Sequence, residues 1–169
     1  MASTEAQATE GERQARGGPA LSGAALAQPL GALDAAALAM LGELVLQSQW
    51  NQTAQDWTLF AREGRIHVVR DAQGRIIASG AVLPMGQADA WISMVLVDPA
   101  CRGRGLGRAV FEACLQDVES EGRAAWLDAT PAGETLYVQY GFEPLWRLAR
   151  WQREARPASG TIRRSSLRK

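Results

Sequence analysis

Lysine, histidine and cysteine are scarce in this chain, and each scarcity excludes a class of chemistry. The only lysine among the 169 residues is Lys169, so neither a Schiff-base lysine nor a P-loop lysine is available inside a folded domain. The two cysteines, Cys101 and Cys114, and the one histidine, His67, provide neither a disulfide framework nor a zinc site. We therefore expect no metal and a reducing, cytoplasmic location.

Long apolar runs and a net charge are also missing. No stretch approaches the roughly 20 apolar residues of a membrane span, and no basic segment followed by an apolar run opens the chain. Because the formal net charge is zero, no overall field attracts nucleic acid. The stretch 150–169 holds seven basic residues and one acidic residue, but few aromatic side chains, which favours a solvated tail over a nucleic-acid site. We expect neither a membrane nor a nucleic-acid partner.

Composition divides the chain into three segments. Residues 1–19 have hardly any large apolar side chain to bury and are expected to be disordered. Residues 156–169 form a basic tail of similar character. Between them, residues 20–155 have the ordinary composition of one folded domain.

Hydrophobic periodicity within that domain predicts an alternation of helices and strands. Asp34 is placed to cap a helix over residues 35–47, and a second short helix is predicted to begin at Thr53 or Gln55. The remaining elements are predicted as two strands (RIHVVRD, RIIASGAVLP), a third strand (AWISMVLVD), a helix from Gly105 to about Ser120, a strand (AAWLDAT), a short helix (GETLYVQY) and a last strand (FEPLWRLARW). This order predicts a mixed α/β domain, with antiparallel pairs first and βαβ units after.

The most informative segment is VLVDPACRGRGLGRAVFEA, in which a strand leads through a proline turn and a loop of glycine and arginine into a helix. Glycines let the backbone approach a ligand, and the helix start presents N–H groups that, with the arginines, suit a pyrophosphate. A P-loop is excluded because Arg108 and Ala109 follow Gly107, where lysine and serine or threonine are required. A dinucleotide fingerprint is excluded because Arg108 occupies the position of its last glycine.

Two motifs together carry a family resemblance. The hexapeptide Arg102–Gly107 (RGRGLG) fits the pattern [RQ]xxGx[GA], and LDATPAGETLYVQYGFEPL follows the helix at a suitable separation. In both, the chain resembles the GCN5-related N-acetyltransferases (GNAT), and it looks like a single-domain bacterial-type member. The resemblance implies a central mixed, mostly antiparallel sheet, splayed at the strand before the glycine loop, with helices on both faces. It also suggests an irregular first strand over residues 26–30.

The resemblance implies acetyl-CoA as co-substrate, with no metal. Main-chain groups of Val95, Leu96 and Val97 are then expected to bind the pantetheine arm and to polarise the thioester carbonyl. The pyrophosphate is expected on the loop residues Arg102, Gly103, Arg104, Gly105, Leu106, Gly107 and Arg108. Thr130 stands where many members carry asparagine, and its hydroxyl is a candidate ligand of the coenzyme arm.

The candidate catalytic residues are Tyr137 and Asp128. Tyr137 matches the tyrosine that protonates the coenzyme sulfur in the family, and a phenol with a pKa of about 10 holds its proton at neutral pH. The alternative is a packing tyrosine. Asp128 follows Trp126 by two residues on a predicted strand, which makes it a candidate general base; the alternative is a carboxylate that caps the following turn. Trp50 is a candidate for shaping the acceptor pocket.

These residues predict an N-acetyltransferase that moves an acetyl group directly from acetyl-CoA to a primary amine. The acceptor is expected to be a small molecule or a protein N-terminus. The alternative is a catalytically degenerate module that binds acyl-CoA and regulates a partner. Cys101 is not expected to be a nucleophile, because no histidine is evidently paired with it. A homodimer is compatible with the sequence but is not required by it.

Overall fold

The computed structural model describes residues 27–147. The segments predicted to be disordered, 1–19 and 156–169, lie outside the described residues, as does the end of the predicted last strand. Backbone contacts divide the chain into two units, one ending at Thr130 and one beginning at Pro131, and each is described by itself.

Over residues 27–130, the first unit contains a five-stranded sheet and three α-helices. Its strands are β1 (Gln28–Pro29), β2 (Arg65–Arg70), β3 (Ile76–Met85), β4 (Asp89–Val97) and β5 (Ala124–Trp126). Its helices are α1 (Ala35–Gln47), α2 (Ala54–Glu63) and α3 (Leu106–Ser120), and a 3-10 turn occupies Pro99–Cys101. The predicted first helix and the irregular first strand are both present, and α2 begins between its two predicted starts.

The strands lie in the sheet in the order of the chain, β1-β2-β3-β4-β5. The first four pair antiparallel, and β5 pairs parallel to β4 after the crossover through α3. This mixed, mostly antiparallel sheet confirms the predicted fold class.

Local capping explains where α1 and α2 begin. The Asp34 carboxylate accepts a hydrogen bond from the Ala37 N–H at 2.7 Å, which satisfies one of the orphan donors of the α1 N-terminus. At α2, the Asp56 carboxylate accepts from both the backbone N–H and the hydroxyl of Thr53, at 2.6 and 2.9 Å. Both helices therefore begin where the sequence supplies a polar cap.

The core has two layers, one on each face of the sheet. One cluster joins Leu41 of α1 and Trp57 of α2 to Ile66, Val68 and other sheet residues. A second cluster joins Leu106 and Val110 of α3 to the neighbouring residues of the strands, among them Val69. Adjacent residues of a strand point to opposite faces, so α1 and α2 cover one face and α3 covers the other.

The described part of the second unit, residues 131–147, contains one helix, α4 (Pro131–Val138). The chain turns at Gly141, where φ is +80°, and the rings of Tyr137 and Phe142 lie 6.2 Å apart. The predicted last strand is wrong over its described part, because residues 142–147 form no strand. Pro144 has no N–H to donate to a ladder, and Leu145 and Trp146 are exposed, so the apolar pattern of this segment is not buried by strand pairing.

Candidate functional site

The sheet opens between β4 and β5. The two strands pair only at three positions, Asp89 with Ala124, Ala90 with Ala125 and Trp91 with Trp126. From Ile92 to Val97, β4 is paired with β3 alone among the described residues. One edge of β4 is therefore unpaired over these residues in the described part of the chain, and an extended ligand could add to it as a further strand.

A β-bulge lies in the middle of this open part of β4. Ser79 pairs with Leu96 and Ala81 pairs with Ser93, so Met94 and Val95 together lie opposite Gly80. Met94 has φ +55°, in the left-handed region that a residue with a side chain rarely adopts. A bulge bends its strand, here within the part of β4 that β5 does not pair with.

The glycine loop follows β4 directly. The Asp98 carboxylate accepts from the Ala100 N–H at 2.9 Å and so fixes the turn after the strand. Gly103 and Gly105 then take φ +75° and +78°, which glycine adopts at little cost. A Cβ at Gly105 would meet no atom within 4 Å, so glycine is required there for backbone conformation and leaves an open space above the loop.

The loop ends at the N-terminus of α3, which is oriented as an anion site. The first helical hydrogen bond runs from the Ala109 N–H to the Gly105 carbonyl at 3.0 Å. The N–H groups of Leu106 and Gly107 come earlier in the chain and therefore have no acceptor within the helix. The Leu106 side chain is buried, so only its main chain is available to a ligand. Three exposed arginines lie in the same stretch: Arg102, Arg104 and Arg108. Main-chain donors, the helix dipole and these cations suit a pyrophosphate.

Contacts within the loop connect it to β4. The Arg102 guanidinium donates to the Val97 carbonyl at 3.3 Å, and a Cβ on Gly107 would lie 3.4 Å from Cγ2 of Val97. The last residue of the open strand thus packs against the start of α3. The structure brings together the predicted main-chain site and the predicted pyrophosphate site.

The remaining predicted site residues belong neither to the open strand nor to the glycine loop. Strand β5 ends at Trp126, two residues before Asp128, so the expectation that Asp128 lies on this strand is wrong; its side chain is exposed, as is that of Thr130. Trp50 is half-buried and packs against the cluster of α1 and α2. Tyr137 belongs to the second unit, where it is 9% exposed and its ring packs close to Gly133.

Sequence reasoning missed a polar contact between β2 and α3. His67, which is buried, places Nε2 2.7 Å from the Asp117 carboxylate, while its Nδ1 is buried with no hydrogen-bond partner among the described residues. Asp117 therefore orients the only imidazole of the chain within the sheet–helix interface. The spacing of 50 residues gives no sequence signal for this pair.

The two cysteines differ in environment. Cys114 is fully buried on the side of α3 that faces the sheet, and burial, with a smaller contribution from the Asp117 charge, raises the pKa of its thiol. Cys101, at the end of the 3-10 turn, is half-buried. A thiol with a raised pKa is a poor nucleophile, so Cys114 has a packing role.

Residues 27–147 contain neither a metal-binding cluster nor a membrane-spanning helix. Within that range, no group of three or more His, Cys, Asp or Glu side chains could hold a metal ion. No helix in the described part of the chain is both long enough and apolar enough to cross a membrane.

A family model described as "Acetyltransferase (GNAT) domain" matches residues 62–144. The match begins at the end of α2 and includes the open strand, the glycine loop, α3 and α4. A search of curated proteins finds no match.

Solved structures of acetyltransferases share the fold. An acetyltransferase of Trypanosoma brucei is 24% identical, with a TM-score of 0.58 over 75% of this chain and 97% of that one. Glucosamine-6-phosphate N-acetyltransferase of Arabidopsis thaliana is 19% identical, with a TM-score of 0.57 over 74% and 96%. A GCN5-related N-acetyltransferase of Ralstonia eutropha is 19% identical, with a TM-score of 0.54 over 75% and 97%. At such identities the likeness establishes the architecture, whereas substrates differ widely on one fold.

Proposed function

Because this chain belongs to the GNAT superfamily of acetyltransferases, we propose that it transfers an acetyl group from acetyl-CoA to a primary amine. The observation that carries the proposal is the junction of the open edge of β4 with the glycine loop at the start of α3. One part offers hydrogen bonds to an extended arm and the other offers donors to phosphate oxygens. Acetyl-CoA contains the two matching groups in the same order, an extended arm next to the thioester and then a pyrophosphate.

The pyrophosphate is assigned to the loop from Arg102 to Arg108. Positive φ at Gly103 and Gly105 turns the backbone, and the open space above Gly105 leaves room for the anion. The fit rests mainly on main-chain N–H groups and the α3 dipole, with the exposed arginines adding charge.

The pantetheine arm is assigned to the main chain of Val95, Leu96 and Val97. These residues follow the bulge on the edge of β4 that β5 does not cover. A main-chain N–H at this point would also stabilise negative charge on the thioester oxygen, a role worth about 3 kcal/mol in other acyl-transfer sites.

When bound, acetyl-CoA supplies an acyl group activated as a thioester. The chain's part is to hold the thioester beside the amine so that the amine nitrogen bonds to the acyl carbon as the C–S bond breaks. Tyr137 donates its phenolic proton to the departing sulfur, and its phenolate regains a proton that the amine loses, through water or through a carboxylate, for which Asp128 is the candidate. The products are the N-acetyl amine and free CoA, with no acyl-enzyme. Thr130 and Trp50 are assigned to the coenzyme arm and the acceptor pocket.

The test is calorimetric titration of the wild type with acetyl-CoA, desulfo-CoA and NAD. We expect the two CoA ligands to bind and NAD not to bind. Gly105→Glu should abolish CoA binding, because it puts a carboxylate and a strained backbone where the pyrophosphate lies.

Gly74→Glu is the matched control for backbone strain. Gly74 has φ +80° in the β2–β3 turn, and a Cβ there also meets no atom within 4 Å. Gly74→Glu should lose a comparable amount of folding stability and should still bind CoA. A folded wild type that binds neither CoA ligand would refute the assignment. Binding without turnover on a wide amine panel would support the regulatory module instead.

A further inference from the structure

A buried hydroxyl on β3 holds the bulge of β4. Ser79 is fully buried, and its Oγ donates a hydrogen bond to the main-chain carbonyl of Met94 at 2.9 Å. Met94 is the bulge residue with φ +55°. Because a bulge interrupts the ladder, this hydroxyl gives the Met94 carbonyl a partner inside the core.

Gly80, the next residue of β3, allows α3 to pack closely against the sheet at the bulge. It lies opposite the bulge, and a Cβ on it would lie 2.9 Å from Sγ of Cys114 and 3.1 Å from the Val110 carbonyl. Only glycine lets α3 pack this closely against β3. The neighbouring residues Ser79 and Gly80 therefore fix the bulge and the helix that carries the glycine loop.

The direction of the Met94 carbonyl determines the direction of the next N–H. In a trans peptide, the carbonyl of residue 94 and the N–H of residue 95 lie in one plane and point in opposite directions. Since the Met94 carbonyl points to Ser79, the Val95 N–H points away from Ser79. A hydrogen bond accepted by the carbonyl also polarises that N–H and makes it a stronger donor.

Resting on the proposed function, we propose that Ser79 is a positioning residue for acyl transfer: its hydrogen bond to the Met94 carbonyl orients and polarises the Val95 N–H toward the thioester oxygen. Ser79 itself does not touch the substrate. It acts through one peptide group, and the main chain of Val95 makes the contact.

The experiment measures the carbonyl of bound [1-13C]acetyl-CoA by isotope-edited infrared spectroscopy, with calorimetry of acetyl-CoA on the same samples. In the wild type, we expect the bound carbonyl band at a lower frequency than in Ser79→Ala. Ser79→Ala should bind acetyl-CoA with similar affinity, because the loop from Arg102 to Arg108 is unchanged. Its kcat should fall about 10-fold with little change in KM, since only part of one oxyanion donor is lost.

Three further variants separate positioning from stability. Ser79→Cys keeps the shape with a weaker donor and should behave like Ser79→Ala, and it serves for the measurement if Ser79→Ala does not fold. Ser79→Thr keeps the hydroxyl and should restore the wild-type band. Ser120→Ala removes a hydroxyl-to-carbonyl hydrogen bond of the same chemistry at an exposed position, to the Asp117 carbonyl at 2.8 Å, and should leave the band unchanged.

The outcomes distinguish this inference from the proposed function. A wild type that binds no acetyl-CoA refutes both. A wild type that binds acetyl-CoA, with a band that Ser79→Ala and Ser79→Cys leave in place, overturns the role of Ser79 and leaves the proposed function standing. A lower melting temperature with an unchanged band shows a purely structural hydroxyl and also overturns the inference.

Discussion

At the scale of single residues, the proposed chemistry depends most on Tyr137. Its side chain is the only phenol of the LYxxxGF segment that is buried, since Tyr140 is only partly so. Tyr137→Phe removes the proton for the departing sulfur and keeps the ring. We expect kcat to fall about 100-fold with an unchanged KM for acetyl-CoA.

The measurement is the rate of CoA release, followed chromatographically at saturating acetyl-CoA. Tyr140→Phe is the matched control, and it should retain wild-type turnover. Unchanged turnover in Tyr137→Phe would assign Tyr137 to packing, and the proton for the departing sulfur would then come from another group or from water.

At the scale of elements, the end of α3 is held by a charged cluster. The Glu121 carboxylate accepts from Arg65 of β2 at 2.6 Å and from Arg123 at 2.7 Å, and Arg123 also donates to the Gly86 carbonyl at 2.8 Å. These hydrogen bonds, that of Arg123 first, lower the pKa of Glu121 below its ordinary value of 4.5. The cluster connects α3 to two other parts of the sheet.

A lowered pKa in the folded state means that this carboxylate stabilises the fold above pH 4.5 and loses that effect as the pH falls through its folded pKa. Glu121→Gln should therefore melt below the wild type at pH 7, by a modest amount because the group is solvent-accessible, and the difference should disappear in acid. Thermal melts across this pH range provide the measurement. Glu119→Gln makes the same charge change on the same turn and should show a smaller difference at pH 7; an equal one would refute the cluster's role.

Elements with local signals were predictable, and elements that depend on distant partners were not. Helix α1 follows from Asp34 and the apolar stripe after it, and the glycine loop follows from its own hexapeptide. Strand β5 ends at Trp126 because its pairing with β4 ends there, and no residue of AAWLDAT encodes that end. The sequence pattern therefore predicts a strand that includes Asp128, whereas the strand ends two residues before it. The role of Ser79 is not predicted from the sequence either, although the adjacent Gly80, a glycine inside a strand pattern, indicates a bulge or a close approach of the backbone.

At the scale of the whole molecule, the proposed site lies within the segment 20–155. We expect a chain that ends at residue 155 to bind acetyl-CoA as the full chain does, because none of the proposed site residues lies in the basic stretch 156–169. Parallel calorimetric titrations of the two chains provide the measurement. A large loss of affinity in the shorter chain, with an unchanged melting temperature, would assign a binding role to the tail.

The sheet order, which repeats the order of the chain, has a consequence for folding. Strands β2, β3 and β4 are joined by short connections, so their ladders close small loops at low entropic cost. The outer strands close longer loops: β1 pairs with β2 across α1 and α2, and β5 pairs with β4 across α3. We therefore expect the hairpins to be structured in the folding transition state. The pairing between β4 and β5 should be among the last parts of the sheet to form and among the first to exchange its amide hydrogens in the native state.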